Sequence, residues 1–123
     1  MSLHSKAASQ EEKLIRMSFS KVYPLYVQKV VRKGRTEEEL LSVIQWLTGY
    51  NAGEIKYLAE SSVTFSQFFD KAQIHPLASE IRGAVCGVHI EMIQNPVARL
   101  VRILDKLVDD LAKGKPLEKI LPG

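Results

Sequence analysis

The sequence predicts an all-α fold, a compact bundle of about five to seven helices with a long amphipathic helix near its C-terminus. Three observations carry this prediction. The stretch Asn95–Gly114, NPVARLVRILDKLVDDLAKG, contains a full set of helix start, face and stop signals. Elsewhere, capping residues repeatedly precede apolar residues spaced three and four apart. Only residues 81–93 alternate in the manner of a strand, and a lone strand would have no partner.

Residues 1–16 are polar and are expected to be a loosely ordered N-terminal segment, with Met1-Ser2-Leu3 a cloning-tag remnant. Within it, Gln10 to Met17 suggests a short helical turn that directs Leu14 and Ile15 inward. Residues 17–123 read as a single helical domain, a size that sustains one core. Its first helix runs from Phe19 to Lys33, with Phe19, Val22, Tyr23, Tyr26, Val27 and Val30 on one face and Gly34 ending it. Pro24 complicates its start, because proline is comfortable only in a first turn. Either Ser20 is the N-cap, or the helix begins at Pro24 after an extended lead-in.

Thr36 and Glu39 have capping-box spacing. The helix they introduce places Leu40, Val43, Ile44 and Leu47 on one face and closes at Gly49. Tyr50-Asn51-Ala52-Gly53 is a tight connector to a short helix with Ile55 and Leu58 inward. Thr64 caps the next one, where Phe65, Phe68, Phe69 and Ala72 share a face and belong to the core. His75-Pro76 marks a break.

Residues 81–93, IRGAVCGVHIEMI, fit two periods. Ile81, Ala84, Val85, Val88 and Met92 fit a helical face, while Cys86, Val88, Ile90 and Met92 alternate. The missing strand partner favours a helix. Gly83 and Gly87 then lie one turn apart, each costing about 1 kcal/mol relative to alanine. Close approach of the C-terminal helix is the favoured reason, and a bare backbone against a ligand the other. In that C-terminal helix Asn95 is the N-cap, Pro96 the first helical residue and Gly114 the terminator. Val97, Leu100, Val101, Ile103, Leu104, Leu107, Val108 and Leu111 fall in an arc about 160° wide at about 100° per residue. Arg99, Arg102, Asp105, Lys106, Asp109, Asp110 and Lys113 take the other side. Val101, Leu104, Val108 and Leu111 should be buried core, and Ile103 on the shoulder is placed for a second contact. Lys115 to Gly123 is expected to make one turn from Pro116 and fold Leu117, Ile120 and Leu121 back as a lid.

Composition narrows the function classes. A hydrophobic content of 46% with 25% charged residues is ordinary for a globular protein. No apolar run approaches the length of a membrane span, and the N-terminus has no signal-peptide core, so no membrane association is expected. The one cysteine suits a reducing cytoplasm. A net charge of +3 permits anion contact without requiring nucleic acid.

No constellation names a reaction. Cys86 and His89 would share one side of a helix, but zinc needs about four convergent ligands. Only His4, His75 and scattered carboxylates remain to complete such a site, so no metal and no cofactor are expected. A Cys86–His89 nucleophile pair lacks a group to orient the imidazole, since Glu91 points away from His89 on a helix. Lys29, Arg32, Lys33 and Arg35 form a basic cluster at a helix C-terminus, where cations complement the dipole in any case. Thr36–Gly49 followed by Gly53–Ser61 has helix-turn-helix spacing. Its second segment is net negative, which argues against entry into a phosphate-lined groove.

The stretch Met17–Thr36, MSFSKVYPLYVQKVVRKGRT, together with Trp46-Leu47-Thr48-Gly49-Tyr50, resembles a small bacterial family known as domain of unknown function two-thousand-two-hundred. The family pattern continues through an FxxFF helix, a GxxCGxRVExI segment and a closing LDKLVDELAKGK helix. These correspond here to Phe65–Phe69, Gly83–Ile93 and Asn95–Lys115. His89 stands where that pattern has arginine, and Asn95-Pro96-Val97-Ala98 replaces aspartate-proline-leucine-methionine. The resemblance implies a compact bacterial cytoplasmic domain and supplies no reaction. The expected function is a non-enzymatic binding or protein-interaction module. A second copy of the chain could cover the outer part of the closing helix's arc. The alternative is a small-anion or nucleic-acid binder using Lys29, Arg32, Lys33, Arg35, Arg82, Cys86 and His89.

Overall fold

A computed structural model describes residues 4–85 and 87–123, with side chains from residue 10 onward. The expected tag remnant and every expectation about Cys86 lie outside the described residues. Seven α-helices follow in order: α1 His4–Arg16, α2 Phe19–Arg32, α3 Glu37–Thr48, α4 Ala52–Ala59, α5 Phe65–Asp70, α6 Pro96–Ala112 and α7 Leu117–Ile120. Between α5 and α6 lie a 3-10 turn at Pro76–Glu80, the strands β1 Ala84–Val85 and β2 Val88–His89, and a 3-10 turn at Ile90–Met92. The fold is all-α apart from that small hairpin. No helix among the described residues is long and apolar enough to cross a membrane.

Local chemistry explains most of these boundaries. Thr36 Oγ1 accepts from the Glu39 N–H at 3.1 Å while the Thr36 N–H donates to Glu39 Oε1 at 3.0 Å. The same reciprocal capping opens α4 through Asn51 and Glu54, and α5 through Thr64 and Gln67. Asn95 Oδ1 accepts from the N–H groups of Val97 and Ala98, and Pro96 follows at the first helical position. α2 starts after Ser18 and runs through Pro24 instead of beginning there. Pro24 is exposed, so the Ser20 carbonyl that loses its helical donor faces the wet side, where water can replace it. α1 begins well before the turn expected at Gln10–Met17.

Residues 81–93 do not form the expected helix. Gly83 and Gly87 have φ of +110° and +76°, values an α-helix does not contain. Ala84 pairs with His89 and Val85 with Val88, so the chain turns back between Val85 and Val88. The two glycines therefore serve the turn and not a close approach. A Cβ on Gly87 would meet nothing within 4 Å, and one on Gly83 would make only an ordinary 3.7 Å contact with Lys106.

α6 lies at the centre, packed by α1, α2, α3, α5, α7, β1 and the 90–92 turn. Val101, Leu104, Val108 and Leu111 are buried as expected. Ile103 is buried too, at 2% exposure, so it offers no second contact. Of the arc, Val97 and Leu100 near the start of α6 remain half-buried, and the rest is covered within the chain. Asp110, expected on the solvent side, is buried against Lys106 Nζ at 3.1 Å and Lys115 Nζ at 3.5 Å. An aromatic cluster fills the opposite end of the core. Phe19 stacks on Phe68 at 4.1 Å between ring centres, with Phe65, Phe69 and Tyr23 around them. The backbone of Phe19 donates to Val63 and that of Phe65 to Met17, which ties the starts of α2 and α5 together.

Candidate functional site

The basic cluster is the first site candidate, and its surroundings decide its meaning. Tyr26 donates to Asp105 and Lys29 pairs with Asp109 at 3.2 Å, so the contacts advance together along both chains. α2 and α6 therefore run parallel, and their C-termini meet. Each helix end carries about half a negative charge. Lys29, Lys33 and Lys113 line a hollow of about 510 Å³ there, with Asp109 among them. Asp109 also binds Lys113 Nζ at 3.0 Å. Burial pushes its carboxyl up, but hydrogen bonds from Lys113 and Lys29 outweigh burial and hold it below the usual range. Three ammonium groups thus face one carboxylate and two negative helix ends, and only about one positive charge is left for a ligand.

Arg35 is further from being a free cation. Its Nη1 donates to the carbonyl of Leu111 at 3.0 Å, which also accepts from the Gly114 N–H, and to that of Lys115 just past α6 at 2.8 Å. Its Nε and Nη2 hold both oxygens of Glu39. This fork fastens the start of α3 to the end of α6. Glu39 is held down to about 2 from an ordinary 4.5, first by the hydrogen bond from Arg35 and then by the Thr36 N–H. A depressed carboxyl adds stability above its unfolded value and loses it as pH falls through the folded one. The difference in Tm between the wild type and Glu39→Gln, which keeps the cap, should be largest above pH ~5 and close as pH approaches about 2. A difference independent of pH over that range contradicts the pair. Arg32 and Lys33 are exposed and make no ion pair among the described residues.

The other expected residues lie on the hairpin. Arg82 is exposed, and His89 Nδ1 is 3.8 Å from Glu91, with 64% of its side chain exposed. Glu91 also accepts from the Gly83 N–H, a bond that belongs to the turn. No hydrogen bond or ion pair joins Arg82 or His89 to the 29–35 cluster among the described residues. No group of three metal-ligating side chains occurs among them either.

A second candidate comes from residues the sequence did not single out. Two adjoining basins of about 430 and 470 Å³ lie between α4 and α5 and share Tyr50, Leu58 and Lys71. Val63, Ser66, Gln67 and Asp70 complete one, and Asn51, Gly53, Glu54 and Tyr57 the other. The walls are set from below. Gly49 ends α3 at φ +76°, and a Cβ there would press on Gln73 at 3.2 Å. Gln73 and His75 donate to the Thr48 and Leu47 carbonyls, holding the exit of α5 against the end of α3. Tyr50 is fixed by its hydroxyl, which donates to the Phe68 carbonyl at 2.6 Å. Burial pushes that hydroxyl up, and the charges of Glu54 and Asp70 add to it. Tyr57, by contrast, is 73% exposed and has no side-chain hydrogen bond among the described residues. One signal for it existed: in the segment GEIKYLAES the ring falls on the polar side of a helix whose inward residues are Ile55 and Leu58.

A family model described as an uncharacterized protein conserved in bacteria, DUF2200, matches residues 13–122. The chain is also similar to the crystal structure of uncharacterized protein SP1917, at 41% identity over 89% of this chain and 90% of that one, with a TM-score of 0.83. No curated protein matches it.

Proposed function

The chain belongs to the bacterial DUF2200 family, and from that premise we propose that it is a non-enzymatic cytoplasmic binding or protein-interaction module that docks its partner in the α4–α5 cleft. Tyr57 carries this reading. It is a large aromatic side chain left 73% exposed beside a concave surface, and tyrosine is among the residues that dominate binding energy at interfaces. It projects from a helix whose opposite side is sealed by Ile55, at 0% exposure. A partner would thus meet a ring carried on a packed helix and not on a loop. The cleft also has a firm base, because Tyr50 is anchored to Phe68.

The alternative reading, a small-anion or nucleic-acid site at Lys29, Arg32, Lys33 and Arg35, has weaker support. Lys29 and Arg35 already have carboxylate partners, and two helix ends draw on the remaining charge.

Selection of displayed random peptides against the wild-type protein tests the cleft. Selected peptides should lose at least about tenfold in affinity against Tyr57→Ala, a hot-spot loss. They should bind a Lys29→Gln/Lys33→Gln variant unchanged. Peptides that bind Tyr57→Ala as tightly as the wild type overturn the assignment.

A further inference from the structure

Resting on that reading of the cleft, we propose that its occupant is a basic peptide segment of a partner protein, whose arginine or lysine side chain lies against the tyrosine rings between Glu54 and Asp70. The charges around the basins support this. Glu54 and Asp70 stand against Lys71 alone, so the cleft is net negative within a chain of net charge +3. It is thus an acidic depression on a chain of net positive charge. Asp70 forms no side-chain hydrogen bond or ion pair among the described residues, so both its oxygens are available. Glu54 commits only Oε1, which accepts from the Asn51 N–H at 2.9 Å.

The two carboxylates belong to different helices and act on the same ring. After burial, they are what pushes the Tyr50 hydroxyl up. A cation beside that ring would therefore meet the charge of both carboxylates. The exposed face of Tyr57 supplies a second attraction, since an aromatic face is the negative part of the ring's quadrupole and favours arginine above all. Carboxylates beside a free aromatic face are the chemistry that recognises a guanidinium or an ammonium group.

The shape favours a peptide over a small free cation. Two basins sit side by side and share a floor of Tyr50 and Leu58. An extended chain presents side chains at regular intervals and can fill both. Lys71 lines both basins and bears the one charge that opposes the occupant. Its stem can cover apolar floor while the ammonium reaches water, so removing the charge should strengthen binding.

The test uses the full chain and three labelled peptides, GRLRG, GQLQG and GELEG, followed by fluorescence anisotropy. GRLRG should bind about tenfold more tightly than GQLQG, with GELEG weakest, and its affinity should fall as salt rises. The Glu54→Gln/Asp70→Asn variant should lose about fivefold for GRLRG and nothing for GQLQG. Lys71→Met should gain about two- to threefold for GRLRG. All three positions are exposed, so these variants should fold, which circular dichroism verifies. Equal affinity for GRLRG and GQLQG, still lost in Tyr57→Ala, overturns the basic occupant and leaves the cleft reading standing. Binding of GRLRG that ignores Tyr57→Ala overturns both.

Discussion

Replacing Arg35 with methionine is expected to lower the unfolding free energy by about 1–3 kcal/mol, a loss suited to a structural fork and not to a ligand contact. Methionine keeps much of the stem and removes every donor. The Leu111 carbonyl then loses a bond of 3.0 Å and the Lys115 carbonyl one of 2.8 Å. The Leu111 carbonyl keeps its bond from the Gly114 N–H, so the cost falls mainly on Glu39, which loses both its bonds to the fork. The Arg35 side chain is only 14% exposed, so water replaces its bonds to Leu111 and Glu39 poorly, while the Lys115 carbonyl stays open to solvent. Arg35→Lys should recover little, because an ammonium cannot reach two carbonyls and both oxygens of Glu39 together. Urea unfolding reads the effect as a lower midpoint at unchanged slope. A midpoint within error of the wild type would mean that Arg35 is dispensable for the fold, and would return it to the list of free cations.

Phe68→Ala should cost about 3–5 kcal/mol, the largest stability effect of any single change considered. The ring is fully buried, stacks on Phe19 at 4.1 Å, and touches Tyr50, Phe65 and Phe69 edge-on or tilted. Neighbours from α2, α3's exit and α5 all lean on it, so the cavity cannot close by shifting one element. The change should also weaken peptide binding at the cleft, because Tyr50 loses the ring it rests on while keeping its bond to the Phe68 carbonyl. Phe68→Leu retains most of the volume and should cost less than about 2 kcal/mol. A loss below about 1 kcal/mol for the alanine variant would show that the aromatic cluster is not the packed end of the core.

The residues that announced themselves in the sequence were those whose role is local. Asn95-Pro96 and Gly114 bound α6 because caps and terminators act within a turn or two of chain. The Thr36/Glu39 box and the buried faces of α2 and α3 follow from spacing alone. Ile103 was misjudged because the edge of an apolar arc is decided by what packs there, and neighbours on both sides cover it. Asp110 was misjudged for the same reason, since two lysines satisfy it in the interior. Residues 81–93 fit two periods, and the want of another alternating run favours a helix; the strand partner lies inside the segment itself, across a turn with left-handed glycines. Arg35 is indistinguishable in sequence from its neighbours Arg32 and Lys33. Only the parallel meeting of α2 with α6, some 80 residues apart in sequence, turns it into a fastening. The cleft was illegible for a related reason: Tyr50, Tyr57, Asp70 and Lys71 come from separate segments, and their meeting depends on the turn at Gly49 and the return of the chain at Gln73.

Mapping backbone amide shifts on the full chain as GRLRG is added tests the central claim most directly, because it sees the basic cluster and the cleft in one experiment. The account predicts shifts concentrated in residues 50–58 and 66–71, with 29–35 and 113–115 unmoved. Shifts centred on 29–35 and 113–115, with the α4–α5 residues still, would contradict it.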